Sequence, residues 1–175
     1  MVSDDNKSYR NIIDDMGVPH QLCNFHLKKN FMNDLLKPMN KIKRKTKSLQ
    51  EQIENIISKL PFYNSEKNKK KNKKKLKELK TKKRKNEKKL KEYENYKERV
   101  LAIFDCEDEK NAKRRFKLLY NNMEHLPPAV MGFIRRLSKN LDRGINHMRY
   151  DFLPNTNNQI ECYNGAFTRW AEKYL

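Results

Sequence analysis

Three short stretches of this chain carry carboxylate, thiol or imidazole groups at spacings that can do chemistry, and a fourth concentrates positive charge. The first is Ser3-Asp4-Asp5, where carboxylates follow the end of an apparent strand. A strand end is rigid and open to solvent, so Asp4 is well placed to hold a divalent cation. The plainer use of Asp4 or Asp5 is to cap the helix that follows. The second stretch is Cys23-x-x-His26, with His20 three residues before the cysteine. Thiol and imidazole ligands bind zinc, but a structural zinc takes about four ligands. No second Cys/His pair stands at finger spacing, and His147 and Cys162 join only if the fold brings them in. The pair therefore reads as packing, or as a buttress for a neighbouring site, ahead of a metal. The third stretch is Leu153-Pro154-x-Thr156-Asn157-Asn158-x-Ile160-Glu161. Thr156 or Asn157 caps a helix there, whose N-terminus favours anions such as phosphate, and Glu161 lies within its first turns. Glu161 either faces a site or closes a capping box.

The fourth feature is a lysine run over residues 67–91, inside a chain of 175 residues with 41 Lys and Arg against 22 Asp and Glu, net +19. Such an excess points to a polyanionic partner, DNA or RNA. Each lysine that meets a phosphate releases a counterion and adds salt-sensitive, sequence-independent affinity. The candidate contacts are Lys28, Lys29, Lys70, Lys74, Lys82 and Arg84. A solvated helical face with no partner, in a protein of generally Lys- and Asn-rich composition, is the alternative. Three scattered cysteines form no disulfide framework, which fits a reducing setting. No stretch approaches the ~18 apolar residues of a membrane span, and the N-terminus opens no signal peptide. The expectation is a soluble, cytoplasmic protein, nucleoid-associated when bound to DNA.

These residues need elements to position them. Met1-Val2-Ser3 ends a strand; a helix from about Lys7 to Met16 carries Tyr9, Ile12, Ile13 and Met16, and Gly17 stops it. A brief strand over 18–23 leads into a helix with Phe25, Leu27, Phe31, Leu35 and Leu36 inward. Ile42, Leu49, Ile53, Ile56 and Leu60 then follow a heptad, a turn falls at 61–65, and Leu76, Leu79, Leu90, Tyr93, Val100 and Phe104 resume the same period. Two heptad arms about a short turn predict an antiparallel helical hairpin. Lys83 and Asn86 sit on its seam, so pairing there is weak and the tip frays. Asp105 or Asp108 caps a helix carrying Ala112, Phe116, Leu119, Tyr120 and Met123. Pro127-Pro128 opens another with Val130, Phe133, Ile134 and Leu137 on one face. A last helix runs from about Asn158 with Ile160, Phe167, Trp170 and Tyr174 apolar.

Taken in order, Ser3, Asp4, Lys7, Tyr9 and Ile13, then Gly17, Pro19, His20, Gln21, Cys23, Phe25, His26 and Asn30, then Leu153 to Glu161, resemble a known pattern. It is that of insertion-sequence transposases of the RNase H-like (DDE) class, related to the mutator-like group. The resemblance covers both ends of the chain; the lysine-rich middle matches only as an all-helical insertion. It implies an RNase H-like sheet carrying three carboxylates, with Asp4 as the second and Glu161 as the third. Cys23 and His26 would match a recurrent pair after the second Asp, and Thr156, Asn157 and Asn158 would aim Glu161. Two Mg²⁺ or Mn²⁺ ions about 4 Å apart serve phosphodiester attack in such sites, and hard carboxylate oxygens suit them. The first Asp of the pattern lies upstream of anything in this chain. The expectation is therefore a truncated, catalytically incomplete transposase that binds DNA, self-associates, or meets a missing N-terminal half in trans. The alternatives are a non-catalytic basic helical nucleic-acid binder and a coiled-coil interaction protein. The fold class expected is mainly α, with a partial RNase H-like α/β core of one or two strands interrupted by a long helical hairpin. Its divisions are a core remnant at 1–37, the hairpin at 38–104, a helical insertion at 105–150, and a core helix with Glu161 at 151–175.

Overall fold

The computed structural model describes residues 1–4 and 7–156, and for residues 7–10 the backbone alone. Asp5, Asn157, Asn158, Glu161, Cys162 and the expected last helix lie outside the described residues. The chain is mainly helical with two short parallel strands. It divides into two compact units, Met1–Asn33 with Glu98–Leu175, and Asp34–Lys97. No described helix is long and apolar enough to cross a membrane.

The first unit begins with a strand, a helix and a strand: β1 (Val2–Ser3), α1 (Lys7–Asp15) and β2 (Gln21–Leu22). Parallel strands cannot be joined by a tight turn, and α1 makes the crossover they require. The helix stops at Gly17, which takes φ +64, a left-handed conformation that costs an L side chain and that glycine adopts freely. The strands pair Val2 with Gln21 and Ser3 with Leu22. Next comes the start of α2 (Asn24–Lys59), whose Leu27 and Phe31 face inward. The unit is completed by the end of α3 (Glu66–Phe104), α4 (Glu109–Tyr120), α5 (Pro128–Ser138) and α6 (Leu141–Ile145).

Asp108 caps α4, its carboxylate accepting from the Asn111 amide at 2.7 Å, while Asp105 pairs with Lys28 at 2.5 Å. Pro128 occupies the first turn of α5, where its missing N–H costs nothing. Phe31 meets Phe133 at 4.8 Å between ring centroids, and Phe104 meets Phe133 at 6.4 Å. Around these rings Val100, Ile103, Leu119, Val130 and Ile134 are fully covered. Gly144 of α6 lies against Leu27, Phe104 and Leu137, close enough that a Cβ there would be in ordinary contact with each. Surface ion pairs finish the frame: Arg143 grips both oxygens of Asp14 at 2.9 and 2.7 Å, and Glu109 lies between Arg149 and Lys113.

The second unit holds the rest of α2, a 3-10 turn at Leu60–Phe62, and most of α3. Along α2 and into the turn that follows, Leu35, Met39, Ile42, Thr46, Leu49, Ile53, Ile56 and Leu60 are withdrawn from solvent while their neighbours are almost all exposed. Along α3 a stripe of Lys69, Asn72, Leu76, Leu79, Lys83, Asn86, Leu90 and Tyr93 is covered, and Glu87, Glu94, Tyr96 and Lys97 beside it are partly covered too. Both stripes alternate steps of four and three residues, the period of a coiled-coil seam. The seam is thin, for only Ile53 and Leu79 are buried in its outer part.

Several expectations are corrected. Leu36 and Phe25 face outward, at 38% and 46% exposure, because a step of 100° per residue carries them off the Leu27–Phe31–Leu35 stripe. Among the described side chains of α1 only Ile13 is buried; Ile12, and Met16 just past the helix, are more than half exposed. Tyr120 is also exposed, although its ring lies 5.6 Å from that of Phe116. Separately, α2 runs unbroken through Pro38. Pro38 removes one helical hydrogen bond, but Leu35 and Met39 on either side are both buried and hold the helical course.

Candidate functional site

The parallel pairing of β1 with β2 creates the site. The Gln21 amide donates to the Met1 carbonyl at 2.8 Å, and the Cys23 amide donates to the Ser3 carbonyl at 2.9 Å. This ladder aligns the two strand ends, so Asp4, the next residue after β1, stands beside Cys23, the next after β2. The Leu27 amide donates to the Cys23 carbonyl at 3.0 Å, closing the first turn of α2. His26 therefore lies three residues from Cys23 on that turn, on the same side. Its Nδ1 reaches Asp4 Oδ1 at 3.0 Å. Sulfur, imidazole nitrogen and carboxylate oxygen of Cys23, His26 and Asp4 all lie within 4.8 Å of one another. Cys23 is 1% exposed, whereas the side chains of His26 and Asp4 are 25% and 46% exposed. The group has a fixed floor and an open mouth.

Polar side chains beneath it hold that floor. The Ser3 hydroxyl meets His20 Nε2 at 2.7 Å, inside the protein, and donates to the Asp4 carbonyl at 2.8 Å. Gln21 is fully buried; its amide nitrogen donates to the Gly144 carbonyl at 3.1 Å, and its oxygen accepts from the His147 amide at 2.8 Å. Asn146 donates to the His20 carbonyl at 2.7 Å. Such groups are tolerable in an interior only when hydrogen-bonded, and here the bonds clamp β2 onto α6 and the segment that follows it. Burial, and then the charge of nearby Lys28, push the His147 imidazole below its usual range, so it stays neutral. The Asn24 amide donates to the Asn155 carbonyl at 2.9 Å. The residue next to Thr156 is thereby held at the start of α2, beside Cys23.

Of the residues singled out in the sequence, Asp4, Cys23 and His26 come together, and Thr156 is brought near by its neighbour's bond. Glu161, Asn157 and Asn158 lie outside the described residues. Among the candidate phosphate contacts Lys70, Lys74, Lys82 and Arg84 are exposed on the second unit. Lys28 is engaged by Asp105, and Lys29 lies 5.7 Å from the centre of the Phe25 ring. Residues 67–91 carry sixteen basic against two acidic side chains, net +14 of the whole chain's +19. With so few carboxylates in the run, most of its lysines have no partner on their own helix.

Sequence reasoning missed two things here. Asp4 joins Cys23 and His26 as a third ligand type, which only the register of β1 on β2 reveals. Gln21, His20 and Asn24 are buried polar groups, and nothing local in the sequence distinguishes them from solvated ones. Compared with known proteins, the chain matches no family model, no curated protein and no solved structure.

Proposed function

We propose that this chain is a DNA-handling protein of the DDE-transposase type, in which the first unit is part of an RNase H-like core and the lysine-rich arm holds DNA. The observation that carries this reading is the meeting of the first two stretches, with the start of the third bonded beside them. Asp4 follows a parallel strand, Cys23 and His26 lie beside it, and the segment leading to Thr156 is bonded to the same turn through Asn155. A strand–helix–strand crossover is also the repeating unit of an α/β core, and it accords with part of an RNase H-like core. In transposases of this kind the sheet's carboxylates serve strand cleavage and transfer.

Magnesium or manganese is the expected cation for that chemistry, and it needs a cage of hard oxygens. Among the described residues Asp4 offers one such ligand, next to a thiol and an imidazole that Mg²⁺ does not favour. Glu161 is the second oxygen ligand of the reading. DNA affinity without cleavage by this chain alone is therefore the expected behaviour. The second unit supports the binding half: sixteen cationic side chains on about 37 Å of helix face a duplex bearing one charge per ~1.7 Å.

The second reading, a non-catalytic basic binder, rests on that charge density alone. One experiment tests both, and nicking is the outcome that would tell them apart. The full chain is titrated onto duplex DNA over a salt series, then incubated with supercoiled DNA and Mg²⁺ or Mn²⁺. Salt-sensitive binding without nicking is expected. Binding with metal-dependent nicking that Asp4→Ala abolishes keeps the transposase site but overturns incompleteness. No binding at low salt removes both readings.

A further inference from the structure

We propose that Asp4, Cys23 and His26 form a binding site for a zinc-class transition-metal ion, with one coordination position left open. The donor set is the first reason. A thiolate, an imidazole nitrogen and a carboxylate oxygen suit Zn²⁺ and its neighbours, not Mg²⁺ or Ca²⁺. The geometry is the second. Tetrahedral zinc with ligands at about 2.0–2.3 Å sets its donor atoms roughly 3.3–3.7 Å apart. Here His26 Nδ1 and Asp4 Oδ1 are already 3.0 Å apart, and all three donors lie within 4.8 Å. Rotation of two partly exposed side chains closes the remainder, with buried Cys23 as the fixed point.

Pre-organisation is the third reason. The backbone that presents these donors is bonded on both sides: Cys23 to Ser3 across the strands, Leu27 to Cys23 within the helix, and the Ser3 hydroxyl to the Asp4 carbonyl. A metal therefore finds its ligands nearly in place and joins β1 to α2. Three protein ligands with an open mouth are the arrangement of zinc sites that take an exogenous ligand, where structural sites close with four. The open position accepts an oxygen donor, water or a phosphate oxygen. The proposal does not rest on DNA cleavage, and it assigns Asp4 a softer ion than the one expected from the transposase resemblance.

The test uses the full chain, stripped of metal, under reducing conditions and without DNA. Titration with Co²⁺ is expected to saturate at one equivalent, with an intense visible spectrum of tetrahedral cobalt and a near-ultraviolet thiolate-to-metal band. Added Zn²⁺ should abolish both, and a large excess of Mg²⁺ should not. Loss of even an outer partner costs metal sites 10–100-fold in affinity, so Asp4→Asn and His26→Gln should each weaken Co²⁺ binding at least about tenfold. Cys23→Ser should remove the thiolate band. Asp4 and His26 are partly exposed, so their variants remain informative if the buried cysteine variant fails to fold; circular dichroism checks each. A missing thiolate band, a band that survives Cys23→Ser, or undiminished affinity in folded Asp4→Asn each overturns the proposal. DNA binding is measured separately, so its loss leaves this result standing.

Discussion

In the first unit Ser3, His20, Gln21 and Asn24 are all less than a tenth exposed; in the second the buried residues are Leu35, Met39, Ile53 and Leu79. Yet the second unit carries most of the charge of the chain, displayed outward along α3. One region puts polar groups inside and binds them to one another, while the other keeps a thin apolar seam and leaves its polar groups to water. Buried hydrogen-bonded groups fix positions to fractions of an ångström, which coordination chemistry needs. Exposed charges give affinity for a polyanion without demanding a fixed geometry. Positioning and adhesion are thus assigned to different parts of the chain.

Substitution in each interior is the strongest way to break that comparison. Phe31→Ala, at a fully buried ring packed on Phe133, should destabilise the first unit by about 3–5 kcal/mol, and Ile53→Ala in the thin seam should cost about 2 kcal/mol. Urea unfolding followed by far- and near-ultraviolet circular dichroism reads both, and equal losses would show the two interiors to be alike. Next in size is the charge. Changing Lys70, Lys74, Lys82 and Arg84 together to Gln should lower the slope of log affinity against log salt by about 3–4 and weaken DNA binding on the order of 100-fold. Asp4→Asn should leave that slope alone. Fluorescence anisotropy with labelled duplex DNA makes the measurement, and an unchanged slope in the fourfold variant would place the contacts elsewhere.

Smaller effects sharpen the contrast. Gln21→Leu strands the Gly144 carbonyl and the His147 amide, a loss of about 1–3 kcal/mol for an unsatisfied buried group. In the second unit the reverse is expected: Lys83→Leu with Asn86→Leu should stabilise the hairpin, about 1 kcal/mol per half-buried position, and raise its thermal midpoint. No rise would mean that these seam positions are not paired. The smallest effect is the response to acid. His147 is held below its ordinary 6.5 by burial, so the unfolded chain binds its proton more readily than the folded one. Stability is full above that value and declines as pH falls through the lower folded value. His147→Gln should flatten this part of a stability–pH curve from pH 7.5 downward. Glu109, held low by Arg149 and Lys113, adds a second decline below its ordinary 4.5, weak because both partners are nearly half exposed and their charges are screened by water.

The helices were legible in the sequence for concrete reasons. The 3-4 spacing of Ile42, Leu49, Ile53 and Ile56 has one helical reading, Gly17 marks a stop, and Val130, Phe133, Ile134 and Leu137 mark one buried face. Even Lys83 and Asn86 on the seam could be placed by counting. The site was legible only in pieces. Cys23 and His26 are three residues apart and could be paired by eye, but Asp4 joins them through a strand pairing of two residues, too short to show a period. Gln21 finds a partner 123 residues away, a distance over which local pattern says nothing. Ile12 and Met16 misled because apolar spacing on a nine-residue helix fits more than one face.

That 123-residue bond between Gln21 and Gly144 also bears on the order in which the chain folds. Tying two points so far apart in an unstructured chain is slow, because chain entropy opposes it until the contact is made. The Asp34–Lys97 unit is compact by itself, about the turn at Leu60–Phe62; folded first, it takes its 64 residues out of the loop, roughly halving it. Halving a loop lowers the closure cost by only about 0.6 kcal/mol, so the gain lies less in final stability than in timing. The lysine arm acts as a splint within its own polypeptide: it shortens the search by which β2 finds the helix that clamps it.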